Sequence, residues 1–140
     1  MVECEAIRIV ADIADARTVN QLINVTTAGQ KSAADGDVVA HFEAQHAFQA
    51  IVLEVCGNKT LQLLHSMLTA ICNAEVRMMN EAFDPPEVQR RALLAANATR
   101  RVVGLIQTAS PEEAEQFWRR HMTAIGDIIF ELLGEAEVRV

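Results

Sequence analysis

Apolar residues recur along this chain at spacings of three and four, the repeat of helices that each bury one side. Between Glu3 and about Ala16 the inward positions are Ile7, Val10, Ala11 and Ala14. A second run places Leu22, Ile23 and Val25 after Thr18, a residue suited to cap a helix start. The stretch "TTAGQKSAADGD" at 26–37 has little periodicity and two glycines, so a loop or a frayed helix end is expected there. A third helix runs from about Asp37 to Cys56, with Gly57 placed to end it. The fourth, from Thr60 to about Ala82, should turn Leu61, Leu64, Leu68, Ile71 and Val76 inward.

Two proline-led signals follow. In "DPPE" at 84–87, Asp84 can cap, the prolines suit a first turn, and Glu87 can reach back in a capping box. The helix they open carries Val88, Ala92, Ala95, Val102, Val103 and Ile106. "SPEE" at 110–113 repeats the device through Ser110, Pro111 and Glu113. The last helix, through about Leu133, should bury Ala114, Phe117, Trp118, Met122, Ile125, Ile128 and Leu132. Neither strand alternation nor an internal repeat occurs. The pattern predicts one all-α domain over residues 1–140, an antiparallel bundle of about six helices.

Composition agrees with a helical core: 51% of the 140 residues are hydrophobic, only 4% are aromatic, and tyrosine is absent. That length can bury a core without disulfides or metals. No apolar run approaches the roughly 20 residues that span a bilayer, and the N-terminus is too acidic for a signal peptide. A cytoplasmic protein without a membrane partner is expected. The net charge of −7 offers no attraction to DNA or anionic membrane. Cys4, Cys56 and Cys72 are too scattered for a disulfide framework or a metal pair, and the last two fall in apolar surroundings that suit small core residues. His46, Glu43 and Glu54 share a polar face expected to be solvated. A Ser-His-Asp arrangement, a glycine-rich phosphate loop, a CxxC pair and paired inward carboxylates are all missing, so an enzyme is not expected.

Four polar residues interrupt the inward stripes. Gln45 and Gln49 lie between Phe42 and Val52, Thr99 between Ala95 and Val102, and His121 between Trp118 and Ile125. An unpaired buried amide or imidazole costs on the order of 1–3 kcal/mol. Either these groups bond one another in a closed network, or they line a wet cavity that receives a ligand. Both alternatives stay open on the pattern alone.

The segment "AFQAIVLEVCGNKTLQLL" resembles the signature of the FCD domain, the C-terminal effector domain of the FadR branch of GntR-type bacterial transcription regulators. Phe48 and Gly57-Asn58 fit its frame. "LIQTASPEEAEQFWRRHM" resembles the family's last-helix motif, and "ECEAIRIVADIADARTVNQL" more loosely its first two helices. The resemblance covers nearly the whole chain. Many members hold a divalent metal with an aspartate and three histidines, and the metal often helps bind a small carboxylate. Those positions fall here on Gln45, Gln49, Thr99 and His121, with the separation of 22 residues between the last two intact. They are the same four positions that break the stripes.

Three of the four family ligands are therefore replaced. Amides are weak neutral ligands and threonine does not substitute for imidazole at a transition metal, so a metal-free pocket without a cofactor is expected. His41, four residues before Gln45, could join another donor set, but the ligand chemistry disfavours it. Without a metal, anion affinity would need an arginine, and Arg100 and Arg101 beside Thr99 are the nearest candidates. The resemblance implies a small-molecule effector, a homodimer, and DNA binding through an N-terminal winged helix-turn-helix that this sequence lacks, so a fragment of a longer regulator is expected. A free-standing helical sensor and a purely structural dimerisation module remain the competing readings.

Overall fold

The computed structural model describes residues 2–68 and 72–138, with side chains for residues 4–67, 74–127 and 131. Seven helices and no strand are found among the described residues. The all-α expectation holds, with seven helices where about six were expected.

Helix α1 spans Val2–Ile13 and α2 spans Ala16–Ala34. The cap of α2 is Asp15 rather than Thr18: its carboxylate accepts the Thr18 N–H at 2.8 Å. The stretch expected to be a loop is helical as far as Ala34. Tertiary packing overrides its weak propensity. The Thr26 hydroxyl is satisfied inside the helix by the Leu22 carbonyl at 2.9 Å. Ala33 is buried against Ala92 and Ala96. Gly29 lies so close to the next helix that a Cβ there would sit 3.2 Å from that of Ala44.

Helix α3, Val38–Cys56, begins at Asp37, which accepts the Ala40 N–H at 3.1 Å, and ends at Gly57 with φ 79°. The expected fourth helix is divided between α4, Lys59–Leu68, and α5, Cys72–Ala82. Leu61 packs on the core, whereas Leu64, expected inward, is 49% exposed. Among the described residues helix α4 packs chiefly on α3, so only one of its sides has a neighbour there to bury against. Leu68 and Ile71 fall outside the described side chains.

Helix α6, Pro85–Gln107, starts as expected at Asp84, which accepts the Glu87 N–H at 2.9 Å. Glu87 does not close a capping box; its carboxylate turns to Arg90 and Arg91 instead. Helix α7 spans Pro111–Val138, beyond the expected end, and its residues Ile128 and Leu132 lie outside the described side chains.

Helix α2 packs most extensively on α3 and α6, and α1 on α7. The main core joins five helices through Ile7, Val10, Leu22, Phe48, Val102 and Trp118, all essentially inaccessible. Cys4 is buried there, and the half-buried Cys56 thiol donates to the Leu53 carbonyl at 3.3 Å; the Cys72 side chain is outside the described set. A second, smaller cluster is made of Ala33, Ala92 and Ala96. Gln89 Nε2 donates to the Ala34 carbonyl at 2.7 Å beside it. Large side chains fill the main core, while the buried members of the second cluster are all alanines. That difference in residue size sets where space is left.

Candidate functional site

A cavity of about 400 Å³ opens between the N-terminal half of α3, α5, the N-terminal half of α6, and α7. Small residues make the room: Ala92 and Ala95 on α6 and Ala124 on α7 leave volume that longer side chains would occupy. Val38, Phe42, Met78, Met79 and Ile125 give it a largely apolar wall. Its polar groups are His41, Glu75, Arg90, Arg91 and His121.

Of the four positions singled out in the sequence, His121 lines this cavity and the other three do not. The His121 ring lies 5.1 Å from that of Trp118, which in turn packs 5.4 Å from Phe48. Burial holds its pKa below the usual value, so the ring is neutral near pH 7.

Gln45 and Thr99 meet across α3 and α6, with the Thr99 hydroxyl 3.0 Å from Gln45 Oε1. The same hydroxyl is 3.0 Å from the Ala95 carbonyl. One proton cannot serve two acceptors fully. Turning the Gln45 amide over resolves the conflict: Nε2 then donates to the hydroxyl, and the hydroxyl donates to Ala95. Gln49 points elsewhere, and its Oε1 lies 3.2 Å from His65 Nε2 on α4. Gln45 and Gln49 therefore serve two separate contacts rather than one constellation.

His46 and Glu75 join α3 to α5 at 3.0 Å. His46 is thus a half-buried junction residue, not the solvated one its polar face suggested. Its ring lies 5.6 Å from that of His65. The His65 pKa is held down by burial, with the neighbouring His46 a smaller cause.

The cavity's arginines are not those beside Thr99. Arg100 and Arg101 are exposed, and Arg101 lies 4.8 Å above the Phe117 ring. Arg91 stacks 3.9 Å above Phe83 and donates through Nε to Glu87 at 2.9 Å. Its two terminal nitrogens have no bond among the described residues, which leaves a fixed, forked donor at the cavity wall. Arg90 is committed twice to Glu87. The Arg90 and Arg91 guanidiniums hold the Glu87 carboxyl down at about 2.

His41 is the residue that sequence reasoning set aside. It is buried at 2% exposure and lines the cavity, and its Nδ1 has no hydrogen-bond partner among the described residues. Its place one helical turn before Gln45, on the same side of α3, is the signal that could have marked it.

The family model for the FCD domain matches residues 1–124. The chain belongs to the FCD domain family. FCD domains are the C-terminal effector-binding domains of GntR-type transcription regulators, which are not enzymes. No curated protein matches the chain.

Some FCD domains bind metal ions, and the donor set here does not suit one. Gln45 is bonded to Thr99, Gln49 to His65, and neither amide is a strong ligand. That leaves His121 as the one good donor of the four. No group of three or more His, Cys, Asp or Glu that could hold an ion occurs among the described residues. No helix among them is long and apolar enough to cross a membrane.

Proposed function

We propose that this FCD domain is the effector-binding and dimerisation part of a FadR-branch GntR-type regulator, and that the α3–α5–α6–α7 cavity receives a small, largely apolar carboxylate. The observation that carries this reading is the cavity itself. It combines about 400 Å³ of space, an apolar wall and one arginine whose terminal nitrogens have no bond among the described residues. That is the usual make-up of a small-molecule site, mostly apolar with a few placed polar groups. Arg91 supplies the carboxylate contact that a metal supplies in other members, and His121 remains at the wall from the older donor set. In the intact regulator, binding would favour one placement of two DNA-binding arms, which requires the ligand to bind one dimer geometry more tightly than the other.

A thermal-shift screen of small carboxylic acids tests the reading, because a ligand that binds only the folded state raises its melting temperature. A hit whose shift disappears in Arg91→Leu supports it. Failure of every acid to shift the melting temperature counts against it.

One observation favours a second reading, a purely structural dimerisation module. Gln45, Gln49 and Thr99 all have partners already. If the polar stripe exists only to close these bonds, Gln49→Leu lowers stability and no acid binds.

A further inference from the structure

Helix α5 lays one side along the cavity: Glu75, Met78 and Met79 line it, and Phe83 follows on the same stripe, four residues after Met79. The Phe83 N–H donates to the Met79 carbonyl at 3.0 Å, so the helical path continues to that residue. From Glu75 to Phe83 is eight steps of helix, an advance of about 12 Å. The Arg91 guanidinium lies 3.9 Å above the Phe83 ring, which places it at one end of this row with Glu75 at the other. The two ends differ in charge. Arg90 and Arg91 share the one Glu87 carboxylate, which leaves a positive charge in excess among these three. Glu75 has a single bond among the described residues, from His46 Nε2 to Oε2 at 3.0 Å, and its Oε1 has none. Its side chain lines the cavity and keeps 36% of its surface open, which leaves room for a second partner. Burial keeps the rings of His41 and His121, elsewhere on the wall, neutral.

We propose that the effector is dipolar: its carboxylate meets Arg91, and an ammonium at the far end of an apolar body meets Glu75. This rests on the cavity being the effector site. A separation of about 12 Å suits an extended chain of about six to eight carbons with an amine on the last. It excludes a pairing of both charges with an α-amino acid, whose ammonium and carboxylate sit side by side. An acid of equal length that ends in a methyl fills the same space but leaves the Glu75 carboxylate against hydrocarbon. Selectivity of this kind comes from a polar group that the wrong ligand leaves unpaired.

Two matched pairs of acids test it at about pH 8, where an aliphatic ammonium is charged and an ordinary imidazole is not. ω-Aminooctanoate is compared with nonanoate, and ω-aminohexanoate with heptanoate. Within each pair the length and carboxylate are kept and an ammonium replaces a methyl. Affinities are measured by calorimetry on the wild type and on Glu75→Gln, whose amide oxygen can still accept from His46. In at least one pair the amino acid should bind the wild type more tightly than its partner. Glu75→Gln should weaken that amino acid about tenfold, the size of one charge-assisted hydrogen bond, and reverse the order within the pair. Should Glu75→Gln fail to fold, α-aminooctanoate serves in its place on the wild type. It carries the same two groups side by side and should bind more weakly than nonanoate. An α-amino acid bound as tightly as the ω-amino acid, or an ω-amino acid whose affinity survives Glu75→Gln, overturns the role of Glu75. Binding by the methyl-ended acids with no preference for either ω-amino acid overturns it too, and leaves the cavity reading standing. Binding by none of the acids overturns the cavity reading and this inference together.

Discussion

Three imidazoles in this domain are held below their ordinary pKa by burial: His41, His65 and His121. In the unfolded chain each takes up a proton near pH 6.5, while in the folded chain each resists it. The unfolded state therefore binds more protons below that value and is favoured there, so stability is steady above about pH 6.5 and falls as pH drops through it. Glu87 and Asp15, whose carboxyls are held low by their partners, add their losses only in the more acidic range where unfolded carboxyls protonate. Melting temperature recorded from about pH 8 to about pH 5 should show the first fall near pH 6.5, and His41→Phe should flatten part of it. A flat profile across that window would show that these rings are not closed to protons. At the Gln45–Thr99 contact the expectation is different. Thr99→Val alone should cost about 1–3 kcal/mol, because it leaves the Gln45 amide without its partner. Adding Gln45→Leu should recover much of that, since two apolar groups of matching shape need no partner. Chemical denaturation of the two single variants and the double variant measures the coupling, and strict additivity would count against the bond.

At the scale of elements, the legible parts of the sequence were those where a backbone requirement and a residue type coincide. Asp84 before two prolines and Gly57 after a long apolar stripe marked α6 and α3, and the structure gives α6 its capped start and α3 its left-handed stop. The stretch from Thr26 to Ala34 was not legible, because what keeps it helical lies on other helices: Ala44 beside Gly29, and Ala92 and Ala96 beside Ala33. Glycine and alanine read locally as weak signals and act here as permission for close approach. The candidate site shows the same division. Stripe breaks drew attention to Gln45, Thr99 and His121, but the spacing along one helix could not say that Gln49 turns to α4, nor that Arg91 rather than Arg100 reaches the cavity. The stop at Gly57 gives a direct test. Its φ of 79° is one that a side chain resists, and no atom lies close enough for a new Cβ to clash. Gly57→Ala should therefore cost about 1 kcal/mol from backbone strain alone, read as a lowered denaturation midpoint with an unchanged slope. A cost near zero would mean that the end of α3 rearranges without loss.

For the molecule as a whole, the open question is how a small acid could be felt by a second copy of the chain. Helix α5 contributes Glu75, Met78 and Met79 to the cavity, and Glu75 is tied to α3 through His46. Helix α4 is tied to α3 through His65 and Gln49. Its outer side carries Leu63, Leu64 and Met67, exposed at 63%, 49% and 65%. Three large apolar side chains within five residues are what a partner surface requires, and FCD regulators typically dimerise. On this reading Leu64→Glu with Met67→Glu should shift the domain from dimer to monomer in sedimentation experiments, with little loss of helicity, since both side chains already face water. A monomeric wild type, or a dimer untouched by the double change, would place the interface elsewhere. If the dimer does form there and α5 transmits occupancy to it, linkage sets a stricter condition. With one site per chain, the factor by which a saturating acid tightens or loosens the dimer must equal the square of the factor by which dimerisation changes affinity for that acid, because each dimer fills two sites. Titrating an acid against the wild type and against the Leu64→Glu, Met67→Glu monomer gives the second factor, and sedimentation of the wild type with and without the acid gives the first. Factors that satisfy this relation and differ from one show that occupancy and dimerisation are coupled, and factors of one separate binding from dimerisation.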